Sequence, residues 1–122
     1  MGKLTEGQRA QLKALQQAYR AELPVKRDLI AGVVAALQTE GWDQARMRSL
    51  HDLIHKLTGS AAIYGLDALS RAAAELETWT LAALTAAPAE ECWRQLPALL
   101  TVLDEAFAAS RGPDDSPGRR GH

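Results

Sequence analysis

A single cysteine, Cys92, excludes an intrachain disulfide and a cysteine-rich metal cage; a buried or half-buried thiol without a reactive role is expected there. Aromatic residues make up only 5% of the chain and β-branched residues are few, a shortage that disfavours sheet. Long apolar runs are missing too. The longest wholly non-polar stretch is IAGVVAAL at 30–37, far short of the ~20 residues a membrane span needs. The opening MGKLTEGQRAQLK has no apolar centre of the kind a signal peptide carries, so a soluble, cytoplasmic protein is expected. Neither sign of charge dominates: fourteen Lys and Arg stand against fifteen Asp and Glu, for a net charge of −1. Without a basic stripe to neutralise a phosphate backbone, nucleic acid is excluded as a partner. No phosphate-cradling glycine loop is present either, because Gly59-Ser60 sits inside a helical pattern instead of a strand-to-helix turn. A nucleotide-driven kinase is therefore not expected.

The residues that are present favour packed helices. Of the 122 residues, 47% are apolar, much of that alanine and leucine, in a length that suits one domain with one core. Apolar spacing and punctuation mark five helical segments. The first runs from about Leu4 to Leu23, with Leu12, Leu15 and Tyr19 along one side. Pro24 suits a first helical position and is expected to open a second helix through Val25, Leu29, Val33 and Leu37, ended by Gly41. Asp43 is a fitting N-cap for the third, at 43–63, with Gly65 closing it. The fourth begins near Leu66 and carries Leu69, Ala73, Leu76, Thr80 and Leu84; TAAPAEE then separates it from the fifth, with Leu96, Leu99, Leu100, Leu103 and Phe107. Pro97 predicts a kink or a fresh start in that last helix. From residue 110 onward SRGPDDSPGRRGH offers no apolar face, and a disordered tail at 110–122 is expected after a domain at 1–109. Short connections favour antiparallel neighbours, hence an up-down-up-down four-helix bundle with an additional N-terminal helix.

One stretch resists a purely structural reading. In IHKLTGSAAIYG, at 54–65, a glycine sits mid-helix, where it costs roughly 0.8–1 kcal/mol relative to alanine. With about 100° per residue, Arg48, His51, Asp52, Thr58, Gly59 and Ala62 fall within roughly 60° of His55, while Leu53, Leu57 and Tyr64 lie opposite. His55 thus heads the polar face, and the small residues beyond it form a notch through which another protein can reach the imidazole. His51 and His55 stand at i, i+4, yet the H-E-x-x-H pattern is absent and no third ligand can be named, so no metal site is expected. Ser60, about 140° from His55, turns toward the bundle and is read as packing. Trp42, Trp79 and Trp93 are spread over separate segments and read as anchors.

LIHKLTGSAAIYGLDAL resembles the signature of histidine-containing phosphotransfer (HPt) domains: a histidine, a leucine two later, Gly-Ser-Ala, a closing glycine, and a leucine four beyond it. AELP before the second helix, EGWDQ before the third, and Leu76-Glu77 in the fourth resemble that family as well, so that the likeness covers about Leu12 to Ala109. The resemblance implies a helical bundle whose exposed histidine, here His55, accepts a phosphoryl group from a receiver-domain aspartate and passes it to another receiver. By that resemblance it would be a stoichiometric carrier and not an autonomous enzyme. Arg48, His51, Asp52, Lys56, Thr58, Gly59 and Ala62 would then form the phosphoryl environment and docking surface. Response-regulator receivers or a hybrid histidine kinase would be the partners of a monomeric chain that holds no cofactor of its own, the magnesium belonging to the receiver. The departure is Thr58, where the family typically has lysine; Lys56 lies about 100° round the helix from His55. Two alternatives are set beside this reading: a degenerate family member that docks a receiver without carrying phosphate, and a metal-dependent helical enzyme, for which motifs such as Glu-x-x-His are missing.

Overall fold

The computed structural model describes residues 4–110, and among them are four α-helices and no strand: α1 at Glu6–Glu40, α2 at Gln44–Ile63, α3 at Asp67–Ala82 and α4 at Glu90–Ala109. Consecutive helices pack side by side, and α1 also touches α4. One core runs through all four, built from Leu23, Ile30, Val34 and Leu37 of α1, Met47, Leu50, Ile54 and Leu57 of α2, Leu69, Ala73 and Leu76 of α3, and Leu96, Leu103 and Phe107 of α4.

The helix expected to start at Pro24 does not exist as a separate element. Pro24 lies inside the 35-residue α1. The reason is the phase of the buried stripe: Tyr19, Leu23, Ile30, Val34 and Leu37 follow one another at helical spacing straight through the proline, and burying that continuous face outweighs the local cost of a missing hydrogen bond. The core face is accordingly rotated from the expected one. Val25 and Leu29 are exposed, as are Leu12 and Leu15 nearer the start. Pro97 likewise interrupts nothing; α4 begins earlier than expected, at Glu90, and runs unbroken past it. Pro97 itself is exposed while Leu96 and Leu103 are buried, so the ring sits on the solvent side of a helix held from its other face.

The boundaries follow capping chemistry. The Thr5 hydroxyl accepts from the Gln8 amide while the Gln8 side chain accepts from the Thr5 amide, a reciprocal capping box. Asp43 caps α2 by accepting from the Ala45 amide at 2.9 Å, as its sequence position predicts. Gly41 and Gly65 both have positive φ, 92° and 79°, the left-handed region that glycine enters without strain. At the second of these, the Leu66 amide donates to the Ala61 carbonyl at 2.8 Å, and the link from α2 to α3 closes in three residues. Ser110 is buried and its hydroxyl donates to the Ala106 carbonyl, capping α4 at its end; the rest of the expected tail lies outside the described residues.

The tryptophans pin the ends of the bundle. Trp42 Nε1 donates to the Ala83 carbonyl and Trp79 Nε1 to the Cys92 carbonyl, both at 2.9 Å, while Trp93 packs edge-on against Trp79. Cys92 is half-buried beside them. Among the described residues no helix is long and apolar enough to cross a membrane.

Because α1 tolerates Pro24 only through its tertiary face, Pro24→Ala should stabilise the protein by about 1–3 kcal/mol. Urea denaturation checks this; an unchanged midpoint would mean that the helix has already relaxed around the ring.

Candidate functional site

The buried stripe of α2 comprises Met47, Leu50, Ile54, Leu57 and Ala61. That stripe fixes which way everything else on the helix faces. His55 follows Ile54 and is driven outward, its side chain 69% exposed. Arg48, Asp52, Lys56, Gly59 and Ala62 are exposed, and His51 and Thr58 are half-buried, so the polar face expected around His55 is present. A Cβ built on Gly59 meets nothing within 4 Å. Internal packing therefore does not require glycine there, and the notch beside His55 is open to solvent. Ser60 turns inward as expected, its hydroxyl 2.6 Å from that of Tyr19; burial, ahead of this hydrogen bond, pushes the Tyr19 phenol above its ordinary value.

Two residues of α3, neither assigned a role from sequence, complete the site. The Glu77 carboxylate lies 2.6 Å from His55 Nδ1, and the buried Thr80 hydroxyl lies 2.9 Å from His51 Nδ1. Burial pushes the Glu77 carboxyl up, but the His55 hydrogen bond and the charges of His55 and His51 outweigh it and hold the group below its ordinary value. An ionised carboxylate can only accept, so His55 Nδ1 bears a proton, and in the neutral ring the lone pair falls on Nε2. The same reasoning fixes His51. The single Thr80 proton is given to the Glu77 carbonyl at 2.8 Å, which leaves the Thr80 oxygen to accept from His51 Nδ1–H. The two rings stand nearly parallel, 17° apart with centroids separated by 6.0 Å.

Thr58, the position of the departure, is engaged within the protein. Its hydroxyl donates to the Ile54 carbonyl at 3.0 Å, and its own carbonyl accepts from Ser70 at 2.8 Å. Glu77 escaped sequence reasoning because its partner is 22 residues away on another helix. The available signal was its position beside the buried Leu76 and Thr80, at the edge of a core stripe, where a free carboxylate would be poorly placed.

What this arrangement supplies is a solvent-facing imidazole nitrogen with a fixed tautomer, on a helix face cleared of bulk. A family model for the Hpt domain matches residues 3–109. The chain belongs to the Hpt domain family. No curated protein and no solved structure gives a significant match. Membership in the Hpt family implies a phosphotransfer role in two-component signalling, and the family's domains are phosphocarrier modules that interact with receiver domains and kinases.

The depressed Glu77 value has a signed consequence. A carboxylate held lower in the folded state than in the unfolded chain stabilises the fold fully above its unfolded value, about 4.3, and loses that contribution as pH falls through the folded value below it. Glu77→Gln should therefore flatten the acid limb of a melting-temperature profile beneath about pH 4.5 while the wild type falls more steeply there. Parallel profiles for the two proteins would assign the acid limb to other groups.

Proposed function

We propose that this Hpt domain carries a phosphoryl group on Nε2 of His55, accepting it from a receiver-domain aspartate and passing it to another receiver. One observation carries the reading: His55 Nδ1–H is tied to an ionised glutamate while the ring stays largely exposed. The unprotonated Nε2 attacks phosphorus, the N–P bond forms as the acyl phosphate O–P bond breaks, and the receiver's carboxylate departs. Charge in such a transfer spreads over the equatorial oxygens. Attack by a neutral imidazole leaves the ring cationic, and Nδ1–H continues to donate to Glu77, whose negative charge balances the ring from the side away from phosphorus. Glu77 is a positioning residue in this scheme, His51 a neighbour contributing field or hydrogen bonding, and Arg48, Asp52, Lys56, Thr58, Gly59 and Ala62 the surface a receiver covers.

In this reading the carrier is cytoplasmic and monomeric, binds no cofactor and relies on the receiver's magnesium. The up-down-up-down arrangement is supported by cross-helix pairs in which one number rises as the other falls: Gln16 with Tyr64 and Tyr19 with Ser60, then His51 with Thr80 and His55 with Glu77. The domain is taken to end with α4. A second reading, receiver docking without phosphate, is favoured by the Thr58 hydroxyl turned back onto Ile54, which leaves no cation at that position.

Incubation with a phosphorylated receiver separates the two, since only a carrier acquires an acid-labile, alkali-stable label. His55→Gln should abolish that label with helicity and melting temperature nearly unchanged, because an exposed side chain contributes little packing; a fully labelled variant would remove His55 from the role. His51→Gln should keep the label.

Gly59→Gln should raise stability by a few tenths to about 1 kcal/mol, since its new side chain meets open space, and should slow transfer by filling the notch. A variant that is more stable and equally fast would show that access is not what glycine provides.

A further inference from the structure

His51 stands beside the reacting histidine yet takes no step in the transfer. Its ring lies nearly parallel to that of His55, 17° apart with centroids separated by 6.0 Å. Nδ1 of each ring is tied to α3, to Glu77 for His55 and to the Thr80 hydroxyl for His51, so in the neutral rings both lone pairs fall on Nε2, on the side away from α3. Parallel rings keep these nitrogens side by side instead of pointing at each other, and two acceptors cannot hydrogen-bond. His51 therefore acts on His55 through charge. Transfer changes the charge it faces. Moving a PO3 unit onto a neutral imidazole adds one net negative charge, about two on the phosphoryl oxygens against one positive on the ring. At the 6.0 Å spacing of the rings, one unit charge alters proton binding about threefold even at the dielectric of water, and more where protein displaces water.

We propose that His51 takes up a proton from solvent when His55 is phosphorylated, and that the resulting imidazolium helps to hold the phosphoryl group until a receiver removes it. The proton enters at the His51 Nε2 lone pair while Nδ1–H stays on Thr80, and no bond to phosphorus is made or broken by this step. The ring does not turn, and the face regains the net charge it had before transfer. The inference rests on the phosphocarrier reading and adds proton control to that site. The other charges in reach of His51, His55 apart, are constant across the transfer. Glu77 on α3 already feels the His51 charge, but it is bound to His55 before and after; Arg48 and Asp52, both exposed on α2, are opposite in sign and unaltered. Helix α1 packs against the far side of α2, since Ser60, which meets Tyr19, lies about 180° round the helix from His51. Linkage gives the sign: a proton bound more tightly in the phosphorylated state favours that state as pH falls and disfavours it as pH rises.

Nitrogen-15 NMR of the imidazoles in the intact chain, before and after phosphorylation with phosphoramidate, tests this over about pH 5.5–8.5, the range in which histidine changes charge. In the phosphorylated chain His51 should bind its proton about three- to tenfold more tightly than in the unphosphorylated one, its Nε2 resonance reaching the protonated position at higher pH. The transfer equilibrium with one receiver reads the same linkage, taken as the ratio of the equilibrium constant of the wild type to that of His51→Gln, so that the receiver's own pH dependence cancels. That ratio should rise about three- to tenfold as pH falls across this range. An identical His51 titration in the two states, or a ratio flat with pH, would overturn the inference. The wild-type titration needs no variant and decides the matter should His51→Gln perturb folding. A phosphohistidine signal at His55 with an unchanged His51 titration removes the inference alone and leaves the carrier reading standing, whereas no phosphohistidine at His55 removes the carrier reading and the inference with it.

Discussion

The hydrogen bond from His55 to Glu77 joins two helices at a place where both a side chain's direction and its protonation matter. It exists because α2 and α3 pack in a single register, set by Leu50, Ile54 and Leu57 against Leu69, Ala73 and Leu76 and closed by a turn in which Gly65 alone takes a positive φ. Slippage of either helix by one turn, about 5.4 Å, would carry Glu77 out of reach of His55 and the Thr80 hydroxyl out of reach of His51. The apolar core thus decides the tautomer of an imidazole that is itself largely exposed.

A second set of contacts steadies the far end of α2 without crowding the ring. Tyr19 stacks on Tyr64 with centroids 4.6 Å apart, the Gln16 side chain donates to the Tyr64 carbonyl at 2.7 Å, and Tyr19 meets Ser60. These contacts lie on the side of α2 that faces α1. Gly59 and Ala62 remain bare on the other side. The helix is therefore anchored through its inner residues precisely where its outer surface is most reduced, which is how a notch can be kept open on a rigid element.

Much of this was legible in the sequence, for identifiable reasons. The outward direction of His55 follows from helical phase, and the caps at Asp43, Gly41 and Gly65 follow from local backbone chemistry, so both could be read one residue at a time. The continuity of α1 could not. A proline's cost is local, whereas the stripe from Tyr19 to Leu37 that outweighs it is a property of the whole helix and of the partners it covers. Val25, Leu29 and Val33 also repeat at helical spacing, and only tertiary packing buried Ile30 and Val34 while leaving Val25 and Leu29 exposed and Val33 half-buried. Glu77 and Thr80 were hidden for the same reason, since nothing in α3 alone says which turn of α2 it will face.

The position of Glu77 also bears on reversibility, which a carrier needs as much as it needs affinity. The carboxylate contacts Nδ1, so the width of the ring separates it from anything bound at Nε2. From there it stabilises positive charge on the imidazole yet offers no attraction to phosphoryl oxygens, and at Thr58 the hydroxyl points back to Ile54 instead of presenting a cation toward them. A phosphoryl group on His55 would thus be held by the N–P bond and by whatever field Arg48 and His51 supply from the surface, where charges are worth little in water. Weak ground-state binding leaves the partner's electrostatics free to act mainly on the transition state. A site with a well-oriented nucleophile and few fixed contacts to its cargo suits a protein that must release what it has just received.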